Sequence, residues 1–191
     1  MIGFQVPQLW PRGEAVVSLE ADLNRFLAGV EKKAFYMARA AVGDRDEALD
    51  IVQEAMFTLV RKYSNKDEEQ WRPLFYRILQ NKITDSHRRS SFRRRLFGSR
   101  SEDDDDSLDE IPGLSSIEPA SRAQLDESTA KLIDLVADLP LRQQQAFLLR
   151  TLEGLDVSET AKAMGCSQGS VKTHYSRAVH SMREQLQEHW S

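Results

Sequence analysis

The residues best equipped for chemistry lie near the end of the chain. From residue 170 the sequence reads Ser-Val-Lys-Thr-His-Tyr-Ser-Arg. On a helix, Ser170, Lys172, Thr173, His174, Ser176 and Arg177 take exposed faces, while Val171 and Tyr175 turn towards a neighbour. Such hydrogen-bonding side chains suit base edges and phosphates. A second concentration spans residues 71–100, with nine Lys/Arg and one acid. There Trp71, Phe75 and Tyr76 interleave with Arg77, Lys82, Arg88 and Arg89. Aromatic rings beside positive charge fit unpaired bases, which stack on rings.

Other chemistries fail on context. Gly165-Cys166-Ser167-Gln168-Gly169 matches the G-x-S-x-G nucleophile elbow, but that motif needs a preceding strand. No strand-period alternation occurs in the chain, and a helical pattern precedes the motif. Cys166 is the lone cysteine, so neither an internal disulfide nor a cysteine metal cluster is expected, and a reducing cytoplasm fits. His87, His174, His180 and His189 lack zinc-site spacing. With no Gly-rich phosphate loop either, the reading is a non-enzyme with no catalytic residue, metal or cofactor.

Helices must position these groups. Leu19, Leu23, Phe26, Leu27, Val30, Ala34, Met37 and Ala41 recur at gaps of three and four, predicting helix over 19–42. Gly43 ends it. Asp44 stands three residues before Glu47, a capping-box pattern, and the next helix runs from Arg45 to Tyr63. Ser64–Gln70 is turn-like. A third helix is expected over Arg72–Arg89, with Pro73 in its first turn and Leu74, Phe75, Ile78, Leu79 and Ile83 buried. Later stripes comprise Leu125, Leu132, Ile133, Val136 and Leu139, then Ala146, Phe147, Leu149 and Leu152. Ser158 is expected to cap a helix through Met164, Gly165 to make the turn, and Ser167 to cap a second helix through about Gln185. That is the helix-turn-helix pattern.

The chain has 191 residues, 40% apolar and 29% charged, an ordinary folding composition. No apolar run reaches membrane-spanning length, and Met1–Arg12 lacks the features of a secretory signal. The net charge of −4 conceals +8 over 71–100 and −10 over 101–140. Seven acids crowd 102–110, too polar to offset ordering entropy. The expected organisation is all-α: an extension (1–18), a helical domain (19–95), a flexible acidic linker (96–122) and a second helical domain ending in the helix-turn-helix (123–191). The acidic block is further expected to fold back on the basic helix in the free protein.

Four stretches together resemble the extracytoplasmic-function (ECF) sigma factors, the smallest kind in the main bacterial sigma family. They are Gly43–Ala48 leading into Asp50–Phe57; Leu74–Asp85 with Arg88 and Arg89; Leu139–Phe147; and Gly169–Ala178. The resemblance implies a subunit that binds core RNA polymerase and directs it to promoters bearing −10 and −35 elements. It implies that Asp50, Gln53, Glu54 and Phe57 dock on the clamp helices of the largest polymerase subunit. It assigns Trp71, Tyr76, Arg77, Asn81, Lys82, Arg88 and Arg89 to the −10 element. The −35 element falls to Ser170, Lys172, Thr173, His174, Ser176 and Arg177. The loop matching Ser64–Gln70 holds a flipped −10 base in the family; here it carries Asp67, Glu68 and Glu69. An anti-sigma partner is a further implication, and direct membrane insertion is not expected. The alternative reading is a stand-alone helix-turn-helix regulator. That explains 157–185 but not the docking face or the basic helix.

Overall fold

The computed structural model describes residues 14–97 and 133–189. Most of the N-terminal extension and of the acidic linker, with its expected fold-back, lie outside these residues. The described residues are helical and include no strand.

Helix α1 spans Glu14–Val42 and α2 spans Arg45–Tyr63. Between them Gly43 takes a left-handed φ of 75°, a conformation nearly free for glycine, and its N–H bonds Arg39 O at 3.0 Å. Asp44 accepts Glu47 N–H at 2.7 Å as the N-cap of α2. The Glu47 carboxylate turns to the third helix, where it accepts the Ser86 hydroxyl.

Helix α3 spans Glu68–Phe97, longer at both ends than the sequence pattern predicts. Asp67 O accepts Gln70 N–H at 2.8 Å, so the acidic half of the expected turn is already helix. Acids in a first turn complement the helix dipole. Pro73 consequently lies in the second turn, not the first.

The second half contains α4 (Leu141–Thr151), α5 (Val157–Met164) and α6 (Gln168–His189), preceded by helical residues 133–137. Asp156, not Ser158, caps α5. Its carboxylate accepts Glu159 N–H at 2.7 Å, and Glu159 Oε2 accepts Asp156 N–H at 2.8 Å. This reciprocal box satisfies two donors that the helix itself leaves open. Gly165 closes α5 at φ 65°, and Ser167 Oγ accepts Ser170 N–H at 3.0 Å to start α6.

The two halves share their core. One buried cluster joins Leu27, Met37, Met56, Leu59, Phe75 and Leu79 to Leu141, Leu149, Leu155, Met164 and Val171. A smaller one joins Ala40 of α1 to Ile133, Val136, Leu139, Ala178 and Met182. Polar contacts cross the same boundary. Gln144 Nε2, buried, donates to Ala40 O at 3.0 Å and to Val136 O at 3.1 Å. Gln145 Nε2 donates to Thr84 Oγ1 at 3.3 Å. Burial of Gln144 and Gln145 is possible only because these donors are satisfied.

Candidate nucleic-acid interface

Helix α6 is anchored by its inward side. Val171 and Ala178 are fully buried. Tyr175 stacks on Phe147 with centroids 6.3 Å apart, and the Arg150 guanidinium lies 5.8 Å from its ring centre. Lys172, Thr173, Ser176 and Arg177 are exposed, and Ser170 and His174 half-buried. Two hydroxyls are engaged locally: Ser170 with Ser167 Oγ at 2.9 Å, and Thr173 donating to Gly169 O at 3.1 Å. Lys172 and Arg177 have no ion-pair partner among the described residues. The rigid backing and the free cations together make a surface able to meet a polyanion without first breaking internal bonds.

Helix α3 carries Arg77, Asn81, Arg88 and Arg89 exposed and Lys82 half-buried. Lys82 Nζ sits 2.7 Å from Glu54 Oε2 on α2. The polar face of α2 holds Asp50, Glu54 and Phe57 exposed, with Gln53 half-buried beside them. These four fall at i, i+3, i+4 and i+7, one stripe of a helix. The α2 and α3 faces therefore adjoin along the Glu54–Lys82 pair.

Trp71 and Tyr76 correct the sequence expectation. Both are fully buried, so neither ring is available for a base to stack on. Trp71 lies against Phe26 (centroids 5.9 Å) and Tyr76 packs edge-on to Phe75 (5.2 Å). The reason is that α3 is covered on two sides, by α1 and α2 and by the second half of the chain. Its buried arc is wider than one amphipathic stripe. Beneath it, His87 Nε2 lies 2.6 Å from Ala41 O.

Sequence reasoning missed Glu153. Its carboxylate is almost wholly buried in the turn after α4, 3.2 Å from Lys33 Nζ and 3.1 Å from Arg72 Nη2. Arg72 also donates to Glu153 O. Burial, then the charge of Glu153, pushes the Tyr76 hydroxyl far above the usual tyrosine range. A single acid in a turn gives no local signal; only its partners, 81 and more residues away, disclose its role. Sequence reasoning likewise gave no volume to the 64–70 turn. Ser64, Lys66, Asp67, Glu68, Asp22 and Trp71 border an open pocket of about 340 Å³ there.

The family model described as Sigma-70 region 2 matches residues 27–93, and that for Sigma-70 region 4 matches residues 129–182. SigV of Bacillus subtilis, an RNA polymerase sigma factor, is 30% identical over 158 residues, covering 81% of this chain and 86% of SigV. The chain belongs to the sigma-70 family. Within it the chain is an ECF sigma factor, similar to BldN of Streptomyces coelicolor at 30% identity over 150 residues. That match covers 76% of this sigma factor and 53% of BldN, so the chain spans about half of BldN's length. The sigma factor RpoE of Bartonella quintana, solved with the anti-sigma factor NepR, shares the fold. Its TM-score is 0.61 at 20% identity, covering 91% of this chain and 97% of that one. The region 2 match takes in the α2 and α3 faces, and the region 4 match takes in α4 to α6.

Proposed function

We propose that this sigma factor binds core RNA polymerase through α2 and directs it to promoters. In this reading α3 reads the −10 element and α6 the −35 element. The observation that carries it is the coexistence of three exposed polar faces on one buried scaffold: Asp50/Gln53/Glu54/Phe57, Arg77/Asn81/Lys82/Arg88/Arg89, and Ser170/Lys172/Thr173/His174/Ser176/Arg177. It acts by binding, without catalysis, in the compartment that holds DNA and polymerase, the cytoplasm. Among the described residues no helix is long and apolar enough to cross a membrane.

The shared core bears on how the two elements are reached. Elements named for positions 25 base pairs apart lie about 85 Å apart along B-DNA at about 3.4 Å per pair. A compact chain of this length is only about 40 Å across. The two halves, residues 19–95 and 123–191, therefore act as separable domains on the polymerase, and the contacts at Glu153, Gln144 and Gln145 belong to the free state. The complex of RpoE with NepR supports a protein partner of the anti-sigma kind for this chain too.

A transcription assay with purified core polymerase tests the function. A promoter-specific transcript is expected; its absence on mapped promoters would sink the reading. Replacing Gln53 and Glu54 together by Ala is expected to weaken core binding on the order of tenfold, as loss of about 1.4 kcal/mol would. Unchanged affinity would remove α2 as the docking face. A stand-alone regulator would instead bind its operator tightly without polymerase.

A further inference from the structure

We propose that Phe92 is a stacking surface for an unpaired base of the promoter strand. It would extend the −10-reading stripe of α3 by a full turn beyond the basic residues. The inference rests on the assignment of α3 to promoter DNA.

Three observations carry it. First, the Phe92 ring is 63% exposed, more than any other large hydrophobic side chain described, and no ring contact is made to it among the described residues. Nothing in the core accounts for a phenylalanine there. Second, its register places it. Arg77, Asn81, Asp85, Arg88 and Phe92 follow at gaps of four, four, three and four, and all five are exposed. They form one stripe along α3 about 22 Å long, enough for several nucleotides. Third, the charge around the ring is positive. Arg88 and Arg89, both exposed, lie one turn before it.

Charge also separates Phe92 from the other exposed phenylalanine among the described residues. Phe57, 49% exposed, stands beside Asp50 and Glu54, where phosphate would be repelled. A ring beside two exposed arginines matches a nucleotide well. The flat face meets the base, and the Arg88 and Arg89 guanidinium groups meet the adjoining phosphates. With Trp71 and Tyr76 buried, Phe92 is the described ring on the basic helix that a base can reach.

The test uses holoenzyme assembled from the full chain and core polymerase, on a mapped promoter and on a fork template whose −10 strand is unpaired. Phe92→Ala is expected to lower fork-template affinity and open-complex yield on the order of tenfold. Phe92→Trp should restore both to within about twofold. Phe92→Leu, apolar but not flat, should behave like Ala. Core binding without DNA should be unchanged in all three. If Leu supports wild-type levels, or if Ala loses core affinity in the same proportion, the stacking role is overturned. Equal affinity of wild type and Ala for the fork template would overturn it as well. If wild-type holoenzyme yields no promoter-specific transcript, the promoter assignment fails instead, and the fork-template affinities still decide whether Phe92 meets an unpaired strand.

Discussion

Helices α3 and α6 both present cations to solvent, but they are held in different ways. Helix α6 stands on a narrow inner stripe, Val171, Tyr175, Ala178 and Met182, with its polar groups outside. Helix α3 is gripped on most of its circumference. Trp71, Phe75, Tyr76, Leu79 and Ile83 are buried, and so are the polar Gln80, Ser86 and His87. Ser86 and His87 are tied to α2 and α1. What this teaches is a division of labour. The α6 surface is complete in a short unit, and in the proposed function it meets DNA with side chains alone. The α3 surface is the outer edge of a scaffold that the second half of the chain helps to cover. Changes beneath α3 should therefore alter how the halves associate, and changes on α6 should alter only DNA contact.

Glu153→Ala is the most severe way to break this contrast. It leaves Lys33 and Arg72 without their buried carboxylate. Both cations keep close to half of their side-chain surface in water, so no charge is left buried and the loss is that of the charged hydrogen bonds, about 1.5–3 kcal/mol. The expected result is a lower unfolding midpoint and a larger radius of gyration by small-angle scattering, as the halves part. A variant as compact and as stable as wild type would show that Glu153 does not hold them.

Arg177→Ala comes next. It should leave compactness untouched and weaken −35-dependent initiation by about 1–3 kcal/mol, the range for losing one good base contact. On a template with a scrambled −35 element the effect should shrink. An equal loss on both templates would reduce Arg177 to a phosphate contact and bring α6 closer to α3 in character.

The contrast also explains what could be read in advance. The ends of α2 were legible because Gly43 and Asp44 announce its start and the apolar stripe stops at Tyr63. The helix-turn-helix was legible for the same local reasons: Gly165, Ser167 and a short inward stripe. The cap of α5 was legible but misassigned. Asp156 and Glu159 carry the capping spacing, which outranks the hydroxyl of Ser158. The family assignment rested on four spaced motifs and needed no geometry. Trp71 and Tyr76 were misread because local periodicity shows one buried face, whereas α3 is covered on two. Gln144 and Gln145 lie in one of those motifs, but their contacts, like the role of Glu153, could not be read, since the partners are brought together only by the fold.

Tyr76→Phe is the mildest probe, and it sharpens the scaffold side of the comparison. The Tyr76 hydroxyl is buried with no hydrogen bond among the described residues. Removing it should change stability by less than about 1 kcal/mol at neutral pH, because no partner is orphaned. Alkaline pH should separate the two proteins. Burial and the nearby Glu153 raise the folded-state value above the unfolded tyrosine value, which is about 10. The native hydroxyl then keeps its proton while the unfolded one loses it. That stability is intact below about pH 10 and declines as pH rises further, by up to about 1.4 kcal/mol per unit. Tyr36, Tyr63 and Tyr175 remain in both proteins, so the difference between their denaturation curves isolates Tyr76. The Phe variant should lose less stability between about pH 10 and 11; parallel curves would mean that Tyr76 ionises as freely in the folded chain as in the unfolded one, and that the core under α3 is open to water.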